Sequence, residues 1–304
     1  MRKSIAGATC ALLALFLGAS ASPAQVPRWR CPGDSVRVGT TCVDTYEASV
    51  WTIPSDNPKL LRKVRLGRAT LQDLTSGGAV QLGAFVQDSC SGEEYGAGFP
   101  VTGNWTAPVY AVSVAGTPPS SCITWYQAEQ ACRLADKRLL TNAEWQAAAA
   151  GTPDPGTEDD GVSTCATASA APALSGARAG CISNWGAHDM VGNLWEWVAN
   201  WTDQGVGCAN FAEAYGGDIS CAGGNVAEPT PAATPAGAPA GAAARVSRPA
   251  PVRPADVLPI SPHFPAAMTR GGNFAIGLRS GVFATYTGAV PFSVSRGTGF
   301  RCGR

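Results

Sequence analysis

Cysteine constrains this chain more than any other residue. Eleven occur in 304 residues, many for a cytosolic chain, and such usage suits an oxidising compartment. Cys10 lies in an N-terminal stretch where Arg2 and Lys3 precede an apolar run from Ile5 to Leu17, and Ala19-Ser20-Ala21 offers a small-x-small cleavage site. Residues 1–24 therefore read as a secretory signal peptide. Its apolar run is too short to span a bilayer and no second one follows, so the mature chain is expected to carry no transmembrane segment and to be secreted or periplasmic. Cleavage leaves ten cysteines, an even set. Their spacing suggests local loops closed by Cys31–Cys42, Cys90–Cys122, Cys165–Cys181 and Cys208–Cys221. Cys132 and Cys302 are then left over, and would tie the middle of the chain to its end. Each bridge is expected to stabilise the fold by roughly 2–4 kcal/mol through restriction of the unfolded chain. Zinc competes for the same cysteines, but there is no C-x-x-C pair and histidine occurs only twice.

Charge narrows the function classes. The chain has 22 basic and 22 acidic residues, and charged residues are 14% of it, against about 25% in an ordinary globular protein. No basic stripe is present to neutralise phosphates, so no nucleic-acid partner is expected. Two histidines exclude a three-histidine metal centre. With 36 glycines and 23 prolines, loops must be abundant and long helices few.

Val36 and Val38 alternate before a Gly39-Thr40-Thr41 turn, and Cys42 to Val50 reads as a second strand. Residues 55–105 look irregular, with Gly, Ser and Asn clusters, and Val109 to Val114 reads as a strand. Two helices are well signalled. Thr124 and Gln127 form a capping box ahead of Trp125, Ala128, Ala131, Cys132 and Ala135 on one face. Thr141 and Glu144 form another, opening a helix through alanines 147–150 that Gly151 stops. Residues 152–183 read as a loop whose acidic cluster (Asp154, Glu158, Asp159, Asp160) is solvated and lacks EF-hand spacing. Residues 226–267 form a Pro/Ala-rich insertion with too little apolar bulk to offset its ordering entropy, hence an extended or disordered loop.

Four segments, in order, resemble the formylglycine-generating enzyme family, also called sulfatase-modifying-factor-like domains. They are Ile123 to Cys132 running into Lys137-Arg-Leu-Leu-Thr-Asn-Ala-Glu-Trp145; Asp189-Met-Val-Gly-Asn-Leu-Trp-Glu-Trp197; Arg270-Gly-Gly-Asn-Phe274; and Gly299-Phe-Arg-Cys302. The resemblance covers roughly residues 31–304. It implies a C-type-lectin-related α+β fold, loop-rich and disulfide-stapled, with little regular secondary structure. It also implies that Cys132 pairs with Cys302.

The family's oxidases hold copper(I) through two thiolates shortly after the Arg-Gly-Gly segment, a soft-ligand site. The matching positions here are Ile276 and Gly281. No catalytic residue of that kind is therefore expected, and copper is not expected either. Relatives with a three-histidine iron site are excluded by the histidine count. A further branch, resembling a periplasmic tailoring enzyme of siderophore maturation, lacks the cysteine pair yet is tied to an oxidation. The expectation is an exported binding or structural protein with an extracytoplasmic ligand or protein partner. The alternative is an extracytoplasmic oxidoreductase that modifies a peptide or small molecule without the cysteine pair.

The resemblance implies structural calcium at Asn193 and Glu196; the competing reading is Glu196 paired with an arginine and Asn193 capping a turn. His188 and Arg279 are candidate ligand-binding residues, although a packing role for His188 suits the lack of a partner nucleophile. Arg138, Glu144, Arg270 and Arg301 are expected in buried ion pairs. Trp125, Trp145, Trp195, Trp197 and Trp201 are expected in the core rather than in a ligand groove.

Overall fold

Backbone hydrogen-bond demand is met here by short elements. A computed structural model of the chain describes residues 30–85, 89–203, 209–210, 216–221 and 265–304. The expected signal peptide, most of the Pro/Ala-rich insertion, Cys208 and His263 lie outside the described residues. Cys31–Arg304 form one compact unit.

The first hairpin is β1 (Ser35–Val38) and β2 (Thr41–Asp44), paired from Ser35↔Asp44 to Val38↔Thr41 around Gly39, whose φ is +59°. The second expected strand does not continue to Val50. It breaks after Asp44, and β3 (Ser49–Thr52) joins another sheet. Then come α1 (Pro58–Arg65), α2 (Leu71–Ser76), β4 (Val80–Leu82) and β5 (Tyr110–Val112). The two helices correct the expectation of irregular chain over 55–105. Their caps were local: Asn57 accepts from Leu60 N with Pro58 at the first helical position, and Thr70 forms a capping box with Asp73. Helix α3 (Trp125–Leu134), β6 (Arg138–Leu139) and α4 (Asn142–Ala148) follow, with both expected capping boxes formed. The remainder is β7 (Trp195–Asp203), β8 (Ala209–Asn210), β9 (Ile219–Cys221), β10 (Pro265–Arg270), β11 (Thr285–Tyr286), β12 (Thr298–Phe300) and β13 (Cys302–Gly303).

These strands form three sheets, ordered β1-β2-β13-β6, β12-β7-β10-β11-β9-β8 and β4-β3-β5. The chain's end therefore closes onto its beginning. Cys42 and Arg304 exchange backbone hydrogen bonds of 3.1 and 2.8 Å, and Cys132–Cys302 staples α3 to β13. Cys31–Cys42, Cys90–Cys122 and Cys165–Cys181 form as the spacing suggested. Cys221 is also disulfide-bonded; its expected partner, Cys208, is not among the described residues.

Strand β7 separates two packed layers because successive side chains point to opposite faces. Trp197 joins Phe99, Ile123, Leu139 and Phe300 on one side, whereas Val198 joins Trp145, Leu140 and Met190 on the other. A third cluster, Trp51, Leu60, Leu74 and Tyr110, is what the two unexpected helices bury. Trp201 departs from the expected core role: it is 40% exposed and meets Trp125 and Tyr126 edge-on.

Charge is also built into the interior. Lys137 Nζ is fully buried, 2.7 Å from Asp34 and 2.7 Å from Asp44. Burial pushes Asp44 up to about 6 although Lys137 opposes it. Burial acts the same way on Asp34, but Lys137 and Arg304 together hold it below the ordinary value. Among the described residues no helix is long and apolar enough to cross a membrane.

Candidate functional site

A cleft of about 420 Å³ opens on the sheet that contains β7, within the size range of small-ligand pockets. Strand register builds its floor. Thr298 of β12 lies opposite Trp195, Trp197 opposite Thr269 of β10, and Thr269 opposite Tyr286 of β11. Trp195 and Trp197 are two residues apart, so both rings reach the same face. The Trp195 and Tyr286 ring centroids are 6.1 Å apart. Loops supply the rim: Asn273, Ile276 and Arg279 after β10, and Ser293 and Ser295 before β12.

The loop after β10 is shaped by two consecutive left-handed glycines, Gly271 at φ +91° and Gly272 at φ +83°. A Cβ on Gly272 would lie 2.4 Å from Ser280 Cα, so only glycine lets the chain fold back this tightly. The Gly271 carbonyl accepts from Gly192 N and Gly281 N at 3.1 and 3.0 Å. Ile276 thus reaches the cleft, while Gly281 turns inward. A Cβ on Gly281 would lie 1.9 Å from Asp218 Oδ1.

The candidate ligand residues separate. Arg279 lines the cleft and His188 does not. The His188 ring lies against Tyr46, centroids 4.9 Å apart, and its backbone oxygen accepts from Arg301 Nη2 at 2.7 Å. Burial, then Arg301, lowers its pKa. This is a packing histidine whose Nδ1 is buried without a hydrogen-bond partner.

Glu196 and Asn193 are engaged with the protein itself. Both Glu196 oxygens face Arg301, with contacts of 2.7 and 3.0 Å, and Oε2 also accepts from Trp145 Nε1 at 2.7 Å. Asn193 Oδ1 accepts from Ala173 N at 2.8 Å, and its amide donates to the Glu47 carboxylate. Donors surround these oxygens, so the two side chains as placed form an ion pair and a loop brace and do not fit a calcium shell, which wants six to eight oxygens. Adding a chelator to the purified protein is expected to leave its melting temperature within about 1 °C, because no binding linkage is lost. A drop of several degrees, reversed by calcium, would return the cation to this turn.

Arg301 is fully buried among carboxylates. Burial raises Glu47 well above its ordinary value, with Asp189 and Glu196 adding to the shift. Burial also pushes Asp189 up to about 6. Arg138 pairs with Glu144 at 2.6 Å in a half-exposed setting and holds Glu144 down at about 2. Arg270 departs from the expected ion pair. It donates to neutral acceptors (Asn142, Gln146, Val282 O and Ala284 O) and stacks 4.7 Å over Trp145. It locks α4 to the loop after β10 and has no free fork for a substrate.

Among the described residues lining the cleft there is no cysteine, histidine or carboxylate. Hydroxyls, one amide, one guanidinium and three aromatic rings can grip a ligand that combines a flat apolar part with acceptor groups. Trp195 departs from its expected core role by lining the cleft, and Trp197 serves core and cleft alike; the sequence marked Ile276 and Arg279, but not Tyr286 or the Ser293–Ser295 rim, which only the register brings together.

Structures of major tropism determinant variants resemble the chain at low identity: the I1 variant is 17% identical, with 86% of this chain and 50% of that one covered, at a TM-score of 0.41. For the P3c variant the values are 16%, 90%, 54% and 0.40. The chain thus spans about half the length of these proteins. PvdO from Pseudomonas aeruginosa is 17% identical over 91% of this chain and 99% of its own, at a TM-score of 0.32. No curated protein matches. The model of the sulfatase-modifying factor enzyme 1-like domain matches residues 102–304, a span that holds α3, α4, the Glu196–Arg301 pair and the loop after β10, and the chain belongs to that family.

Proposed function

We propose that this chain is an exported domain of the family that has given up the copper thiolate pair and binds an extracytoplasmic ligand in the cleft. The observation that carries the reading is the loop after β10. At the two positions where the family resemblance places thiolates, Ile276 contributes a hydrocarbon wall to the cleft and Gly281 has no room for a side chain against Asp218. Copper(I) sites need soft sulfur ligands, and the cleft lining offers none. The formed disulfides suit the oxidising compartment that the signal peptide predicts. A rigid sheet presenting loop residues around an aromatic floor is the usual basis of a binding site.

The test is elemental analysis of the exported protein together with incubation of copper(I) and a cysteine-containing sulfatase-type peptide. Copper well below one equivalent and unaltered peptide are expected. Stoichiometric copper with conversion of the peptide thiol to an aldehyde would overturn the reading. Retained iron with oxygen consumption would favour the alternative oxidoreductase.

A further inference from the structure

Asp218 occupies the space that Gly281 leaves open. Its carboxyl group is 1% exposed, and Oδ2 accepts from Phe283 N at 2.7 Å. Oδ1 is buried without a donor. What faces that oxygen is another carboxylate: a Cβ placed on Gly216 would lie 2.9 Å from both Asp218 Oδ1 and Asp154 Oδ2. Asp154 is exposed, and the two side chains converge on that one point while Asp218 Oδ1 is left without a donor. Two carboxylate oxygens share such a space at low cost only when a proton or a cation lies between them.

The surroundings favour a proton. Asp218 Oδ2 already accepts from Phe283 N, and Arg270 is a cation whose field reaches Asp218. Donors and a guanidinium repel a divalent ion, which would want oxygens instead. Among the described residues, Asp154 on the loop after α4 and Arg270 are charged groups whose fields act on Asp218. Asp154 also receives Gly156 N at 3.0 Å, which sets its loop. That loop rests on the short 3-10 turn Gly277–Arg279. A Cβ on Gly156 would be 2.6 Å from Leu278 Cδ2, and Thr157 lies beside Gly277. Ile276 and Arg279, at either side of Leu278, line the cleft.

We infer that Asp154 and Asp218 share one proton, and that this proton latches the loop of residues 153–160 onto the turn that forms one wall of the cleft. The latch stands on its own geometry, whatever the cleft binds. Its direction follows from the titration. Burial and the facing Asp154 push Asp218 up to about 7, so the folded loop favours the protonated form. Such a raised carboxyl contributes stability that is complete below its unfolded value near 3.8 and is lost as pH rises through about 7. Above that pH both groups ionise and repel, and the loop releases.

Hydrogen exchange of the peptide spanning residues 152–162, corrected for intrinsic rates, tests this in the full mature protein. Protection is expected to fall by roughly tenfold or more between about pH 5.5 and about pH 8.5, since local opening reports the lost contact. Asp154→Asn supplies an amide N–H in place of the proton, so its loop should stay protected with no such pH dependence. Asp218→Asn is the second variant, with near-ultraviolet circular dichroism to confirm its fold; should it misfold, the Asp154→Asn result alone decides. Equal protection of the wild-type loop at both pH values overturns the latch, as does an Asp154→Asn variant that keeps the pH dependence. Saturable protection by millimolar calcium at the higher pH would also overturn it, by showing a cation between the carboxylates.

Discussion

Replacing Arg301 with leucine is expected to cost roughly 3–5 kcal/mol of folding stability, measured by urea unfolding, because it strands a buried carboxylate. The Arg301 side chain is fully buried and grips both oxygens of Glu196. It also donates to the backbone oxygens of Asp44, Thr45 and His188, so one guanidinium ties the first hairpin, the turn before β7 and the chain's end. Without it, Glu196, Glu47 and Asp189 would share an interior with no cation of that reach. Glu47 and Asp189, both already raised by burial, would then bind protons more readily in the folded state. Asp189 already stands at about 6, so its contribution is complete below its unfolded value and is lost as pH rises through about 6. The deficit of the variant should therefore be smaller near pH 5 than near pH 8. A loss under about 1 kcal/mol at both pH values would mean that the ion pair is not what holds this junction. Removing both partners, as Glu196→Leu with Arg301→Leu, should recover part of the loss, since a buried pair replaced by apolar side chains is often neutral.

The second large effect concerns the longest disulfide. Cys132 and Cys302 are separated by 170 residues. In the chain-entropy account, a loop of that length corresponds to about 5 kcal/mol of restriction in the unfolded state. The double variant Cys132→Ser, Cys302→Ser avoids a stray thiol. Its melting temperature is expected to fall by roughly 10–20 °C for a chain of this size. A fall of less than about 3 °C would show that the β2–β13–β6 pairing holds the end of the chain without the bridge.

The parts of the fold that were legible in the sequence are those with local causes. The capping boxes at Thr124 and Thr141 are decided within four residues, and both helices form where those signals place them. The three described short-range disulfides follow spacing for the same reason. The stretch 55–105 shows the limit of weighing composition over caps. Asn57-Pro58 and Thr70 with Asp73 were equally local signals, yet the surrounding glycines and serines hid them. Trp201 and Arg270 were misjudged for a different reason. Whether a tryptophan is covered, or which acceptors surround a guanidinium, depends on elements distant in the chain.

Residue types and short spacings suffice for the family, the three described short-range disulfides, the helices capped at Thr124 and Thr141 and the side chains at positions 276 and 281. Tertiary structure alone decided that Glu196 faces Arg301, that β7, β10, β11 and β12 align an aromatic floor, and that Asp154 meets Asp218 behind Gly281. Those outcomes are set by strand register and by the desolvation of charges. Neither is defined until segments far apart in the chain are packed together.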